Sequence, residues 1–195
     1  MKRKKKRKLT IRNYMRQLFI VMVACLLVVG CTEKKQDIVA VDTSAIPEEK
    51  DSTIYGVCGD GTSMNSIQLV TGQGDTLFFM KDVEALEDPV KGGMAVGDNL
   101  ALMPGKRVDG EDMVQNVINL TSLLGKWTSI DKNFEIKDDG VVASSASAES
   151  NQWRSWKIFN GKLLLGRDTF NVYELTADSL YLENNKGIFS YKRQY

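Results

Sequence analysis

Trp156-Lys157-Ile158-Phe159-Asn160-Gly161-Lys162-Leu163-Leu164-Leu165 decides the fold class of this 195-residue chain. Asn-Gly is the dipeptide that a two-residue type I′ turn selects, because both central positions need positive φ, and short strand-like runs flank it on both sides. The decapeptide reads as a β-hairpin. Toward the carboxy terminus, Thr169 to Leu175, Ser179 to Glu183 and Ile188 to Arg193 read as further strands, with turns at Thr176-Ala177-Asp178 and Asn184-Asn185-Lys186-Gly187. Toward the amino terminus, Asn133 to Lys137 alternates Phe134 and Ile136 with Glu135 and Lys137, turns at Asp138-Asp139-Gly140, and is followed by Val141 to Ser145. With Leu123-Leu124-Gly125-Lys126-Trp127 opening the unit, seven or eight strands lie between Gly125 and the end. Eight strands of about five residues with turns of two to five need roughly 55 to 75 residues, so an up-and-down barrel fits the length and leaves no exposed edges.

Residues 51–121 continue the β pattern with little helical period. Thr53 to Val57, Ser66 to Val70, Thr76 to Met80, Asn99 to Met103 and Val114 to Leu120 are short strands, and Thr71-Gly72-Gln73-Gly74-Asp75 joins two of them as a hairpin turn. Five such strands fit a small Greek-key barrel of OB type, with the Gly97-Asp98 turn before Asn99, or a five-stranded sheet packed on the following domain. Val83 to Leu86, ended by Pro89, is the one stretch expected to form a helical turn. The fold class is all-β: an OB-like five-stranded unit over 51–121, then a barrel over 122–195.

Gly125-Lys126-Trp127 resembles the Gly-x-Trp signature of the first lipocalin strand. Asp139-Gly140, Ala143-Ser144-Ser145, Trp153-Arg154-Ser155-Trp156-Lys157, Asn160-Gly161, Leu175-Thr176-Ala177-Asp178-Ser179-Leu180 and Tyr191-Lys192-Arg193-Gln194 follow in an order similar to the short lipocalin-like domain of Bacteroides-type lipoproteins. The resemblance implies a calycin-like barrel with Trp127 packed across its closed end beneath Lys192 or Arg193, a cation–π stack of about 0.5–2 kcal/mol. The unit has about half the length of a full lipocalin and lacks its long loops and carboxy-terminal helix. An eight-stranded barrel either fills itself with side chains or holds one small ligand, and short strands favour filling.

The amino terminus gives the address. Nine Lys and Arg and no acid precede or flank a 12-residue uncharged run, Leu18 to Val29, which ends in Val28-Val29-Gly30-Cys31. A basic region, a short apolar run and small residues before the cut form a secretory signal too short to span a bilayer. The Cys after the cut resembles the bacterial lipobox, so residues 1–30 are expected to be removed and Cys31 lipidated. Cys25 would leave four apolar residues at the mature terminus and fits less well. Residues 31–50, with Pro47 and many charges, read as a flexible tether, although Ile38 to Val41 could pair as an edge strand. The expected location is the bacterial cell envelope, on the outer membrane, facing the periplasm or the exterior. The expected partners are the membrane through the lipid, a small apolar ligand and envelope proteins.

Without residues 1–30, seventeen Lys and Arg face 25 Asp and Glu, a net charge of −8. Such a domain is a poor partner for nucleic acid. The absence of His removes imidazole metal ligands and His-dependent triads. No cofactor, metal or catalytic residue is expected. Cys58 is the one thiol left after Cys25 and Cys31 are accounted for, and a buried strand position is its expected setting. Ser129-Ile130-Asp131-Lys132 matches the Ser-x-x-Lys pattern of penicillin-binding enzymes but falls on a strand and turn instead of a helix. Glu84, Glu87, Asp88, Glu111 and Asp112 would have to converge to make a glycosidase-type pair.

Among the aromatics Trp153, Trp156, Phe159, Tyr173, Tyr181 and Tyr191, the candidate ligand contacts are Trp153, Trp156, Tyr173 and Tyr181, with Trp153, set among polar residues, expected to be the most exposed. Arg154 joins them, and Arg154 or Arg167 could orient an anionic group. Asp51-Ser52-Thr53, Asp75-Thr76-Leu77 and Asp178-Ser179-Leu180 resemble the O-glycosylation sites of Bacteroides-type exported proteins, with Ser52 the candidate acceptor. The functional expectation is a lipoprotein that binds an apolar or amphipathic ligand without catalysis. The alternative is a structural or interaction module, an envelope assembly or stress-sensing accessory with filled barrels.

Overall fold

The computed structural model describes residues 50–144 and 152–195; the stretch expected to be a signal peptide, Cys31, the expected tether up to Glu49 and Ser145 lie outside the described residues. The first barrel consists of β1 (Ile54–Cys58), β2 (Ser66–Thr71), β3 (Thr76–Met80), β5 (Asn99–Val108) and β6 (Glu111–Asn119), with the two-residue β4 (Val90–Lys91) added on β6. Its strand order is β3-β2-β1-β5-β6, and a parallel β3–β6 contact at Met80 and Met113 closes it. This is a five-stranded OB-like Greek key. Alternation along the strands builds its core from Cys58, Ile67, Leu69, Phe79, Leu100, Leu102, Val114 and Val117.

Three features depart from the sequence expectation. The stretch from Val83 to Leu86 forms no helix; Asp82 O accepts from Ala85 N at 3.3 Å in an isolated turn, and the side chains of Val83 and Leu86 have no core to bury against. Helix α1 instead occupies Leu120–Leu123, where Asn119 is the N-cap and accepts from Ser122 N at 3.1 Å. Asn119 is 1% exposed, and its amide also donates to Gly93 O at 2.9 Å and Asp98 Oδ2 at 2.8 Å. β5 also runs past Pro104, where the missing N–H and a register shift mark a bulge.

The second barrel is an eight-stranded antiparallel meander: β7 (Gly125–Thr128), β8 (Asn133–Ile136), β9 (Val142–Ser144), β10 (Trp156–Phe159), β11 (Lys162–Leu165), β12 (Asp168–Leu175), β13 (Ser179–Asn184) and β14 (Gly187–Gln194). Its order is β10-β11-β12-β13-β14-β7-β8-β9, and a bridge between Val141 and Ser155 nearly closes it. In β12 a bulge at Tyr173 resets the alternation, so Val172 and Leu175 both face inward while Tyr173 and Glu174 face solvent. The interior is filled, with Trp127, Phe134, Ile136, Ile158, Leu163, Leu165, Val172, Leu180 and Leu182 all buried.

Both barrels lie in one compact unit, Glu49–Tyr195. Ala101 and Ile118 of the first barrel belong to the same core cluster as the interior of the second. The Asn160-Gly161 turn seals the join. Asn160 Oδ1 accepts from Ser52 N at 2.8 Å, Asp51 Oδ1 from Asn160 N at 3.0 Å, Ile158 O from Tyr55 OH at 2.8 Å and Gly161 O from Asn116 Nδ2 at 2.8 Å. Both turn residues have positive φ, 48° and 72°.

Candidate functional site

One end of the second barrel is shut. Trp127 is 0% exposed and donates its indole N–H to Leu123 O at 2.9 Å, while the Arg193 guanidinium lies 4.2 Å from the Trp127 ring centre. The same guanidinium donates to Leu124 O at 2.8 Å and to Ser122 O, satisfying acceptors left open around the end of α1, and to Ala177 O in the turn between β12 and β13. Gly125 has φ +127°, and a Cβ there would stand 2.7 Å from Arg193 Nη1. The Gly-x-Trp pattern thus has a steric cause: the glycine leaves room for the arginine that covers the tryptophan. Lys192, next along the strand, points outward and is exposed.

The opposite end is open because two neighbouring strands differ in length. β14 has eight residues and β7 four, and the two pair only at Lys192, Arg193 and Gln194. Beyond Thr128 the chain turns through Ser129–Lys132, where Ser129 N donates to Lys132 O at 2.7 Å. Gly187 to Tyr191 therefore has no partner from β7, and a seam opens in the wall. A cavity of about 1050 Å³ lies there, lined on its apolar side by Trp153, Phe170, Ile188, Phe189 and Tyr191 and on its polar side by Asp131, Lys132, Asp168, Lys186 and Lys192.

Its aromatic side chains pack edge to face: Phe134 stands 5.0 Å from both Trp153 and Tyr191, Trp153 5.7 Å from Phe170, and Phe170 5.9 Å from Phe189. Each such pair contributes about 0.5–1.5 kcal/mol beyond burial, which makes a rigid floor. Trp153 donates its indole N–H to Asp168 Oδ2 at 2.8 Å, and Lys132 Nζ sits 3.9 Å above the Trp153 ring. A second, polar hollow of about 600 Å³ shares Asp168, Phe170, Asn184 and Lys186 and adds Lys162, Arg167 and Glu183.

Residues 119–194 match the model of a family described as lipocalin-like. The carboxy-terminal barrel is a lipocalin-like domain. Comparison with curated proteins and with solved structures found no match. The family match begins at the α1 cap, Asn119, so it takes in the helix whose carbonyls Arg193 satisfies.

The lipocalin-like domain spreads the expected ligand contacts over several places. Trp153 lines the cavity, but it is 4% exposed instead of open to solvent; Arg154 and Ser155 after it are exposed while the ring is buried in the floor. Trp156 is partly buried against the core and donates to Lys137 O at 2.6 Å. Tyr173 and Tyr181 point to the outside of the barrel, and Arg154 is exposed outside the cavity lining. Arg167 borders the polar hollow. Phe170, Phe189 and Asp168, not singled out from the sequence, complete the cavity with Lys132, which the sequence had marked only within the Ser-x-x-Lys pattern; the signal for Phe189 was its i, i+2 spacing with Tyr191 along β14.

Other groups fall as follows. Cys58 is buried, 3.4 Å from Thr62 Oγ1. Glu84, Glu87, Asp88, Glu111 and Asp112 are all exposed, and Asp88, Glu87 and Asp112 pair with Lys81, Lys91 and Arg107 at 3.6–3.8 Å. Among the described residues no three His, Cys, Asp or Glu side chains are grouped to hold a metal. Ser52 is exposed at the join between the barrels. The Asp51 carboxyl beside it is pushed up by partial burial, but hydrogen bonds from the Asn160 and Thr53 amides, the Thr53 hydroxyl and the charge of Lys157 outweigh this and hold it below the ordinary value.

Proposed function

We propose that the protein is an outer-envelope lipoprotein, anchored through Cys31, whose lipocalin-like domain binds a small apolar or amphipathic molecule at the seam between β14 and the β7–β8 turn. The barrel interior is filled, so the ligand rests on the aromatic floor and does not enter an axial cavity. The carrying observation is that floor: Trp153, Phe170, Phe189 and Tyr191 line a cavity of about 1050 Å³, just above the roughly 300–1,000 Å³ range usual for small-molecule sites. The proposed action is binding without chemistry, with the OB-like unit over 51–121 as spacer. Native mass spectrometry of the protein from its own envelope should find a bound small molecule that Phe189→Ala releases. A protein that is ligand-free at every preparation, with no response of Trp emission to any apolar probe, would defeat the proposal. The same mass measurement reads acylation of Cys31 and any hexose-sized increment at Ser52.

A specific observation favours a second function, protein interaction. The outer face of β1–β3 exposes Tyr55, Val57 and Phe78, the last 56% accessible, with Gln68 opposite Phe78 and Val70 opposite Val57. Three exposed apolar side chains on one face of an otherwise acidic barrel are a place for a partner. Phe78→Ser should then abolish co-purification of an envelope protein while leaving probe binding at the seam unchanged.

A further inference from the structure

Taking the seam as the ligand site, we infer that its ligand is an organic anion with a flat apolar body, the body on the aromatic floor and the anionic group among the lysines. Charge is divided unequally along the chain. Residues 51–121 carry four Lys and Arg against eleven Asp and Glu, whereas residues 122–195 carry ten against nine. Within the second barrel the basic groups gather at the open end. Lys132, Lys186 and Lys192 line the cavity, and Lys162 and Arg167 line the hollow beside it, against Asp131, Asp168 and Glu183. The ion pairs Lys81–Asp88, Lys91–Glu87 and Arg107–Asp112 lie in the first barrel, and neither Lys186 nor Lys192 takes part in them.

The internal contacts decide the sign of the ligand. A cationic ligand would seek an aromatic face, but the Trp153 face already carries Lys132 at 3.9 Å. Asp168, the acid nearest that ring, accepts the Trp153 indole N–H. What remains along the lining is Lys186 and Lys192 against the single carboxylate of Asp131, beside an apolar floor, a balance that suits a carboxylate, sulfate or sulfonate attached to a planar body. The Lys pattern also explains how an acidic protein admits an anion: the opening lies on the barrel without the acidic excess, and at about 0.1 M salt charges beyond about 10 Å are largely screened.

Anilinonaphthalene sulfonate and its uncharged counterpart N-phenylnaphthylamine share one aryl skeleton and separate the two parts of this inference. They are titrated by fluorescence into the purified chain carrying Cys31→Ser, so that no acyl chain competes. The sulfonate should bind at least about tenfold tighter, equivalent to about 1.4 kcal/mol, and lose most of that advantage as salt rises from about 0.1 M to about 1 M. Lys186→Gln with Lys192→Gln should remove the preference while N-phenylnaphthylamine affinity stays constant, which also reports an intact fold; Phe189→Ala should weaken both probes. Equal affinity for the two probes without salt dependence would overturn the anion preference and leave the ligand site standing. Binding of neither probe would overturn the ligand site as well.

Discussion

Arg193 binds together three parts of the second barrel that are distant in sequence. Its guanidinium covers Trp127 and donates to carbonyls of Ser122, Leu124 and Ala177, so removing it uncovers an aromatic and leaves acceptors without donors. Arg193→Lys keeps the charge but loses the planar fork; it should cost about 1–3 kcal/mol in urea denaturation, and Trp127→Ala about 3–5 kcal/mol. If Arg193→Lys proved neutral, the multiple-donor account of the closed end would be wrong. At this scale the sequence was informative where chemistry is local and silent where it is not. Gly125-Lys126-Trp127 was legible as a local pattern, and its pairing with a basic residue of the last strand followed from the resemblance to a lipocalin strand. Which of Lys192 and Arg193 does the covering depended on strand parity, since adjacent residues face opposite sides of a sheet. Trp153 illustrates the opposite case: polar sequence neighbours suggested exposure, yet in the fold the ring is buried under Lys132 and beside Asp168.

At the level of elements, the Asn160-Gly161 hairpin forms a turn and also docks the two barrels. Both residues have positive φ, and a Cβ on Gly161 would stand 3.1 Å from the Met103 Cβ and 3.4 Å from Asn116 Nδ2. Gly161→Ala should therefore destabilise by about 1–2 kcal/mol or more, combining left-handed strain with a displaced interface, whereas Gly72→Ala, with nothing within 4 Å, should be close to neutral. Equilibrium unfolding of the two variants side by side checks this; equal effects would mean that the turn has no docking role. Strand positions were largely readable from alternation and turn residues. The bulge at Tyr173, the extension of β5 beyond Pro104 and the two-residue β4 were not, because each depends on a partner strand and not on its own residues. The helical turn expected at Val83 to Leu86 and the short helix found at Leu120–Leu123 differ in burial: Leu123 enters the core, while Val83 and Leu86 stay in solvent.

For the whole molecule, the join between barrels is polar around a shared apolar core, and one carboxylate makes part of it pH-dependent. Asp51 accepts from Asn160 N and Thr53 N, and its folded pKa lies below the ordinary one. A depressed carboxyl contributes stability above the unfolded value, near 3.9, and loses that contribution as pH falls through the folded value. Asp51→Asn should accordingly narrow the drop in Tm between pH 6 and about pH 3 relative to the unaltered chain; an unchanged drop would place the acid sensitivity elsewhere. The sequence by itself determined the all-β class, because side-chain alternation and turn dipeptides are written within a few residues; it left the first unit open between a barrel and a sheet, and the closed end was legible only through the resemblance of Gly-x-Trp to a lipocalin strand. Only the tertiary structure decided where a ligand could lie. The seam arises from an eight-residue strand beside a four-residue one, and its floor joins residues from β12, β14 and the segment before β10; strand lengths and inward-facing parity become a cavity only when the sheet curls and nearly closes.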